Sequence, residues 1–327
     1  MPHANYLTPK ENYLRAIRFA GPEYIPNGRD LPVVAVGYVG VNPEDERPGD
    51  ADEWADFWGV TWRHELEGVM PFPRGNPLAE PSARDSYAWP EPADRGRLAA
   101  AWIAAAQVDR QTRVLAVSHR STVFERAWEL VGMERLLVMM LAEPEAVEEL
   151  FERIIAFQIG IARQYLELNP DLAILGDDLG TQLGPLFSPS LFRRYLKPRY
   201  ARLIEVYKKA GVLVELHSCG NVLGLVDDFL DLGIDVLNPI QPRAIGDLAL
   251  LRAKTARRMA LRGGVDTQYT LTLGTPDEVR AEVRDRISLL GREGGYICGP
   301  DQSLPMPDAN VEAFDRAVAA FGRYPVE

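Results

Sequence analysis

The chain is poor in cysteine, in long apolar runs and in basic charge. Only two cysteines, Cys219 and Cys298, occur among 327 residues, which is too few for a disulfide framework. No run approaches the roughly 18 consecutive apolar residues of a membrane span. The apolar stretch at 33–40 lacks a preceding basic region, so we expect no signal peptide and a cytoplasmic location.

Basic residues are outnumbered by acidic ones, 36 against 47, which gives a formal net charge of −11. Nucleic acids and anionic membranes both attract basic patches. The balance therefore argues against either of them as the main partner and leaves a small molecule as the expected ligand. Apolar residues make up 46% of the chain, enough to bury a sizeable core.

Short apolar runs alternate with helical segments along most of the sequence. Two helices begin with a capping box that has Pro at the first helical position, at Thr8 and at Thr275. Short continuous runs separated by helices are typical of buried parallel strands. The runs lie at 32–38, 113–118, 172–176, 212–216, 236–239, 259–263 and 295–298.

This alternation predicts an α/β protein, a (β/α)₈ TIM barrel formed by a single domain over 1–327 with an N-terminal helix. Seven strands are visible, and we expect the eighth within 60–110. A doubly wound open sheet is the alternative. It is disfavoured because no glycine-rich nucleotide-binding motif follows any of the strands.

A long excursion from the barrel pattern occupies about 40–110. It is rich in Pro, Gly and acidic residues and contains most of the tryptophans. Its patterning suggests a short helix around 52–59. Trp54, Trp58 and Trp62 are spaced by four, which is typical of a packed helical stripe. They would form a substrate wall only if the excursion folded over the mouth of the barrel.

Polar side chains appear where the apolar runs end. Functional groups of a parallel barrel lie at the C-terminal ends of its strands, so these positions predict an active site. In chain order they are Ser118-His119, Asp177-Asp178, His217-Ser218-Cys219, Asn238 with Gln241, Asp266, and Cys298.

His217 and Cys219 are two residues apart, so both point to one face if the chain is still extended there. An imidazole and a thiolate form half of a zinc site, and Cys298, 79 residues further on, could supply a second thiolate. Asp177 or Asp178 is the natural fourth ligand. The alternatives are a buried cysteine that acts as a small hydrophobe, and aspartates that cap the following helix.

Two further residues have both a catalytic and a structural interpretation. His119 could act as an acid or base, or could be a neutral histidine that bonds loop backbone. Asp266 follows two glycines that allow close backbone approach, so it either faces the site or holds its own loop.

Several segments resemble the uroporphyrinogen decarboxylase superfamily, whose fold is a (β/α)₈ barrel. Within them Gln182, Asn238 and Gln241 are candidates for substrate binding. The segments are Gly176-Asp177-Asp178-Leu179-Gly180-Thr181-Gln182, Leu216-His217-Ser218-Cys219-Gly220-Asn221, Asp235-Val236-Leu237-Asn238-Pro239-Ile240-Gln241-Pro242, Gly263-Gly264-Val265-Asp266-Thr267-Gln268 and Gly294-Gly295-Tyr296-Ile297-Cys298.

The superfamily has two main branches. The porphyrin decarboxylases carry an arginine-rich segment just after the first strand, whereas this chain has no arginine there until Arg47. The zinc- and corrinoid-dependent methyltransferases carry His-x-Cys followed about 75–80 residues later by Cys, which His217, Cys219 and Cys298 match. This resemblance implies zinc, a corrinoid on a separate partner protein and methyl transfer, and it leaves a homodimer open.

Three hypotheses follow for the function. The first is a zinc-dependent methyltransferase that moves a methyl group between a small molecule and a corrinoid protein. The second is a metal-free carboxy-lyase similar to the decarboxylases. The third is a non-catalytic small-molecule binder on the same barrel, because a fold does not determine a function.

Overall fold

Parallel strands form the centre of the computed structural model, which describes residues 7–65, 70–92 and 94–326. Seven strands, in the order β1-β5-β6-β7-β8-β9-β10, make one parallel sheet. The strands are β1 Val33–Val36, β2 Glu53–Ala55, β3 Thr61–Arg63, β4 Phe72–Gly75, β5 Val114–His119, β6 Leu172–Gly176, β7 Leu213–His217, β8 Val236–Ile240, β9 Ala260–Val265 and β10 Tyr296–Pro300.

Helices connect successive strands of this sheet. The α-helices are α1 Pro9–Ile17, α2 Ala99–Ala106, α3 Phe124–Val131, α4 Met133–Ala142, α5 Pro144–Tyr165, α6 Pro189–Leu191, α7 Lys197–Lys209, α8 Val226–Leu232, α9 Pro242–Ile245, α10 Leu248–Thr255, α11 Thr270–Leu273, α12 Pro276–Leu290 and α13 Asp308–Phe321. The capping boxes at Thr8 and Thr275 are both present, as predicted. In the part of the chain that the structure describes, no helix has the length and apolarity needed to cross a membrane.

The seven predicted parallel strands are all found, and the α/β barrel architecture is confirmed. The eighth position, beside β10, is taken by residues 26–28, where Gly28 N–H donates to Cys298 O and Cys298 N–H donates to Pro26 O. The prediction of an eighth strand within 60–110 is therefore wrong. Its described extended segments, β3 and β4, instead pair with β2 in a separate antiparallel sheet of order β2-β3-β4.

The predicted helix at 52–59 is also wrong. Trp54 in β2 lies opposite Trp62 in β3, and both rings are buried. The carboxylate of Asp56, in the turn between these strands, accepts hydrogen bonds from the Trp62 indole and from the backbone of Trp58 and Val60. These bonds stabilise a β-turn and not a helical turn. The three tryptophans are four residues apart because the first and last lie in paired strands and the middle one lies in the turn between them.

The faces of the barrel strands follow from the alternation of side chains. One cluster of buried residues, which includes Leu213 of β7 and Ile297 of β10, fills the inside of the barrel against α1. His217 shares the parity of Leu213 and so faces inward. Cys298 is next to Ile297, so it faces outward and packs in the larger core between the sheet and the helices.

Pro198 lies where a helix is interrupted. Helix α6 passes into a π-helical segment, Phe192–Leu196, and α7 begins immediately afterwards with Pro198 in its first turn. The interrupted helix carries Tyr200 to the carboxylate of Asp177.

Candidate metal centre

The loops after β6 and β7 lie against each other and carry the principal polar residues. Gly220 has φ +83°, and a Cβ built there would lie 2.4 Å from the carbonyl carbon of Gly180. Any larger residue at 220 would therefore push the two loops apart. Because the loops touch, Asp178 from the first meets His217 and Cys219 from the second.

Asp178, His217 and Cys219 form a group that could hold a metal ion. Their ligand atoms all lie within 4.8 Å of one another. His217 Nε2 is 3.6 Å from Cys219 Sγ and 3.8 Å from Asp178 Oδ1. Ligands of a tetrahedral zinc, bonded at about 2.0–2.3 Å, are separated from one another by roughly 3.3–3.8 Å. The two distances from His217 thus fit zinc, and the oxygen and sulfur donors lie within 4.8 Å of each other.

The electrostatics of this group favour a bound cation. Burial lowers the pKa of His217, so its imidazole is neutral and able to donate a lone pair. Burial, reinforced by the charge of Asp178, raises the pKa of the Cys219 thiol. A metal cation would reverse this shift and hold the sulfur as a thiolate.

Asn238 contacts the remaining ring nitrogen of His217. The Asn238 side-chain amide lies 3.2 Å from His217 Nδ1. With the amide turned so that its carbonyl accepts from Nδ1–H, His217 Nε2 would be left unprotonated and free to bind a metal. A partner of this kind orients a ligand histidine and selects its tautomer. Asn238, a predicted substrate-binding residue, is therefore also placed to position His217.

Metal affinity is expected to rise with pH. Binding displaces the thiol proton of Cys219, whose raised pKa keeps it protonated at neutral pH, so the apparent association constant for zinc should increase about tenfold per pH unit. His217 would add a second displaced proton only below its lowered pKa. Competition titrations with a zinc chelator at pH 6.5, 7.5 and 8.5 measure the slope, and a pH-independent affinity would contradict thiolate ligation.

Cys298 does not join the predicted metal set. Its side chain is completely buried on the outer face of β10, where it contacts the Tyr296 hydroxyl. An outward side chain does not reach the inside of the barrel, so we propose Asp178, His217 and Cys219 as the ligand set in place of the predicted His217, Cys219 and Cys298. The 79-residue spacing carried no information about which face the thiol occupies.

Gln302, two residues beyond the end of β10, takes the place expected for Cys298. Its Nε2 lies 2.9 Å from Cys219 Sγ. Gln302 was not among the predicted site residues. Its position after the last strand was the only signal that could have identified it. The carbonyl of a glutamine is a metal ligand or a hydrogen-bond acceptor, depending on how the amide turns.

Asp177 caps a helix, but this helix is α3, which precedes it in the chain, and not the following helix of the predicted alternative. Its buried carboxylate accepts hydrogen bonds from the backbone N–H groups of Val123, Phe124 and Glu125 at the start of α3, and from the Tyr200 hydroxyl. Burial raises the pKa of Asp177 to about 6, against the lowering effect of these donors. Its oxygens are thus occupied, and it lies outside the metal group.

His119 has a structural environment as well. It is fully buried, with Nδ1 2.7 Å from Gln158 Oε1 and Nε2 in contact with the Tyr207 hydroxyl. Burial lowers the pKa of His119 to about 4, so the ring is neutral at physiological pH. His119 therefore packs within the protein core, at the end of β5, and does not belong to the metal group.

Three other predicted residues are held by, or lie on, the loops. Gln241 accepts a hydrogen bond from Gly220 N–H at 2.5 Å and so supports the loop that carries Cys219. Asp266 pairs with Arg243 at 2.7 Å and accepts from its own loop. Gln182 is exposed in the loop after β6. We retain Asn238 as a substrate-facing candidate and propose supporting roles for Gln241 and Asp266.

A cavity of about 690 Å³ opens beside the metal group. This volume suits a small organic molecule. His217, Asn238 and Gln302 line one part of it, and its remaining lining is basic, acidic and apolar. That remainder is Gly28, Arg29, Pro239, Arg262, Gly299, Pro300, Asp301, Ser303, Leu304, Pro305 and Met306.

The chain is similar to one protein family and to several proteins of known function. The family model described as uroporphyrinogen decarboxylase (URO-D) matches residues 67–324. The chain is 25% identical over 201 residues to the methylcobamide:CoM methyltransferase MtaA of Methanosarcina barkeri, covering 61% of this chain and 55% of that protein. It is 29% identical over 193 residues to a uroporphyrinogen decarboxylase of Anaeromyxobacter dehalogenans (strain 2CP-C), covering 58% and 53%.

The same fold occurs in a solved methyltransferase structure from Methanosarcina mazei. The TM-score is 0.72 at 21% identity, and the match covers 96% of this chain and 99% of that one. This likeness confirms the barrel fold. The chain spans little more than half the length of the curated relatives that it matches.

Proposed function

Because the chain belongs to the uroporphyrinogen decarboxylase family, we propose that it is a zinc-dependent enzyme that transfers a methyl group between a small molecule and a corrinoid carried by a separate protein. The observation that carries the proposal is the metal group itself. Three donor atoms of Asp178, His217 and Cys219 converge, and one of these residues, His217, lines a cavity. Similarity to a methylcobamide methyltransferase supports the same reaction class.

Asp178, His217 and Cys219 would hold the zinc, and three protein ligands leave a coordination position for substrate. A zinc bound there lowers the pKa of a coordinated thiol or polarises a methyl-bearing oxygen. The chain's own residues supply orientation. Asn238 positions the His217 ring, and Gln302 sets an amide at the Cys219 sulfur. Pro239, Pro300 and Leu304 provide an apolar wall for the carbon body of a substrate.

Methyl transfer can be measured directly with the full chain. We expect zinc-loaded protein to move a methyl group from methylcobalamin to a thiol, or from a methyl ether to cob(I)alamin, which the corrinoid absorbance reports. The rate should fall to that of the uncatalysed reaction after Cys219→Ser, which removes a metal ligand. Protein that binds zinc but shows no transfer with any of these pairs would contradict the proposal.

The decarboxylase relative supports a second candidate, a carboxy-lyase on the same barrel. The segment 37–46 after β1 contains no arginine to hold the carboxylates of a porphyrin. Release of carbon dioxide from uroporphyrinogen by metal-free protein, unchanged by Cys219→Ser, would favour this second candidate over methyl transfer.

A further inference from the structure

The interior of the barrel contains an ion pair that the proposed reaction does not use. Arg262 of β9 donates from Nη1 to Glu215 Oε1 of β7 at 2.8 Å. Glu215 is completely buried, whereas 26% of the Arg262 side chain is exposed and lines the cavity. The buried carboxylate of Glu215 thus holds the guanidinium of Arg262 in place. The exposed part of Arg262 faces the cavity beside the metal group.

Glu215, the acidic member of the ion pair, lies one layer beneath His217 of the metal group. Glu215 precedes His217 by two residues in β7, and both point into the barrel. Two residues of a strand span roughly 6.6 Å. A ligand held by Arg262 therefore needs a body of about this length for its other end to reach the donor atoms of His217 and Cys219.

The hydrogen bonding of this pair is incomplete on both sides. A guanidinium has five N–H donors, and a structural pair with a carboxylate is commonly bidentate. Among the described residues Arg262 makes the single bond to Glu215, and Glu215 Oε2 has no partner. A purely structural ion pair would use both prongs, because leaving buried polar atoms unpaired is costly. A ligand in the cavity would supply hydrogen-bond acceptors for the remaining N–H groups of Arg262.

A second cation reinforces the positive charge of the cavity. Arg29 lines the wall, and its Nε is 3.4 Å from Asp315, a distance longer than a strong hydrogen-bonded pair. Asp301 is the acidic member of the lining, and its Oδ1 already accepts from the Thr267 backbone. Burial raises the pKa of Asp301.

We propose that Arg262, assisted by Arg29, binds the carboxylate of a small organic acid whose opposite end carries the group that reaches the metal. The ligand class is a carboxylic acid with a rigid body, such as an aromatic ring, between the carboxylate and the reacting heteroatom. The identity of the reacting end rests on the proposed function, but the binding of the carboxylate does not.

Binding to metal-free protein tests this subsite without any methyl transfer. Isothermal titration with 4-methoxybenzoate is compared with its uncharged counterpart 4-methoxybenzamide and with methoxyacetate, in which a single carbon separates ether from carboxylate. We expect the benzoate to bind at least about tenfold more tightly than the amide, because hydrogen bonds to a charged group are worth this much. Equal affinities for the acid and the amide would overturn the proposal.

Paired variants separate binding from folding. Arg262→Gln alone would leave Glu215 buried without its partner, so Arg262→Gln is combined with Glu215→Gln to keep a neutral hydrogen-bonded pair. The double variant should lose at least about tenfold in affinity for the benzoate and nothing for the amide. Glu215→Gln alone removes the competing carboxylate and should tighten binding. Arg284→Gln, an exposed residue of α12 paired with Asp285, is the matched control and should change neither affinity.

Failure of the subsite and failure of the proposed function give different results. Carboxylate binding that depends on Arg262, in protein that transfers no methyl group, would retain the subsite and reject the reaction. Methyl transfer with benzoate binding unchanged in the double variant would retain the reaction and overturn the subsite.

Discussion

Replacement of Cys219 by Ala is expected to reduce bound zinc from about one ion per chain to less than about a tenth of that, because it removes the single thiolate of the group. Asp178 and His217 alone offer one oxygen and one nitrogen, a weak site. Metal content after dialysis against a mild chelator, measured by inductively coupled plasma mass spectrometry, gives the result.

Cys298→Ala is the matched control for this prediction. The Cys298 thiol is buried on the outer face of β10, so its loss should leave the metal content unchanged and should lower the free energy of unfolding by about 1 kcal/mol through lost packing. Loss of metal in Cys298→Ala together with retention in Cys219→Ala would reverse our assignment of the ligands.

The neighbouring aspartates 177 and 178 should respond to substitution in opposite ways. Asp177→Ala is expected to lower the free energy of unfolding by about 3–5 kcal/mol, because three backbone N–H groups at the start of α3 would lose their buried acceptor. Urea denaturation followed by circular dichroism measures this loss. Its metal content per folded chain should stay near that of the parent protein.

Asp178→Ala provides the comparison at an adjacent position. Its side chain is partly exposed, so stability should change by less than about 1 kcal/mol. Zinc affinity should fall strongly, since a ligand oxygen and the acceptor for Cys219 N–H are both removed. An unstable Asp178→Ala protein beside a stable Asp177→Ala protein would show that the two roles had been exchanged.

Local sequence was sufficient for the strands of the barrel and for the pairing of His217 with Cys219. Continuous apolar runs predicted seven parallel strands, and all seven occur in one sheet. His217 and Cys219 are two residues apart at the end of one strand, so the period of the chain alone placed them on a common face. Both features depend only on residues that are close together in the chain, so the sequence alone is sufficient to predict them.

The excursion illustrates where local patterning fails. Trp54, Trp58 and Trp62 have helical spacing, but the first and last pair across two strands. The carboxylate of Asp56 holds the turn between them, and buried Arg126 of α3 contacts that carboxylate from outside the excursion. Tertiary contacts of this kind override a spacing that is compatible with two conformations.

The metal group itself was decided by tertiary structure. Asp177 and Asp178 are adjacent in sequence, and only the packing of α3 against one of them separates the cap from the ligand. Cys298 lies within β10 and Gln302 comes two residues after it ends. The Cys298 side chain faces the helices, whereas the Gln302 side chain reaches the sulfur of Cys219. Composition and period determined that polar groups gather at the ends of the barrel strands. Which of them meet depends on strand register and loop packing, because these set distances between residues far apart in the chain.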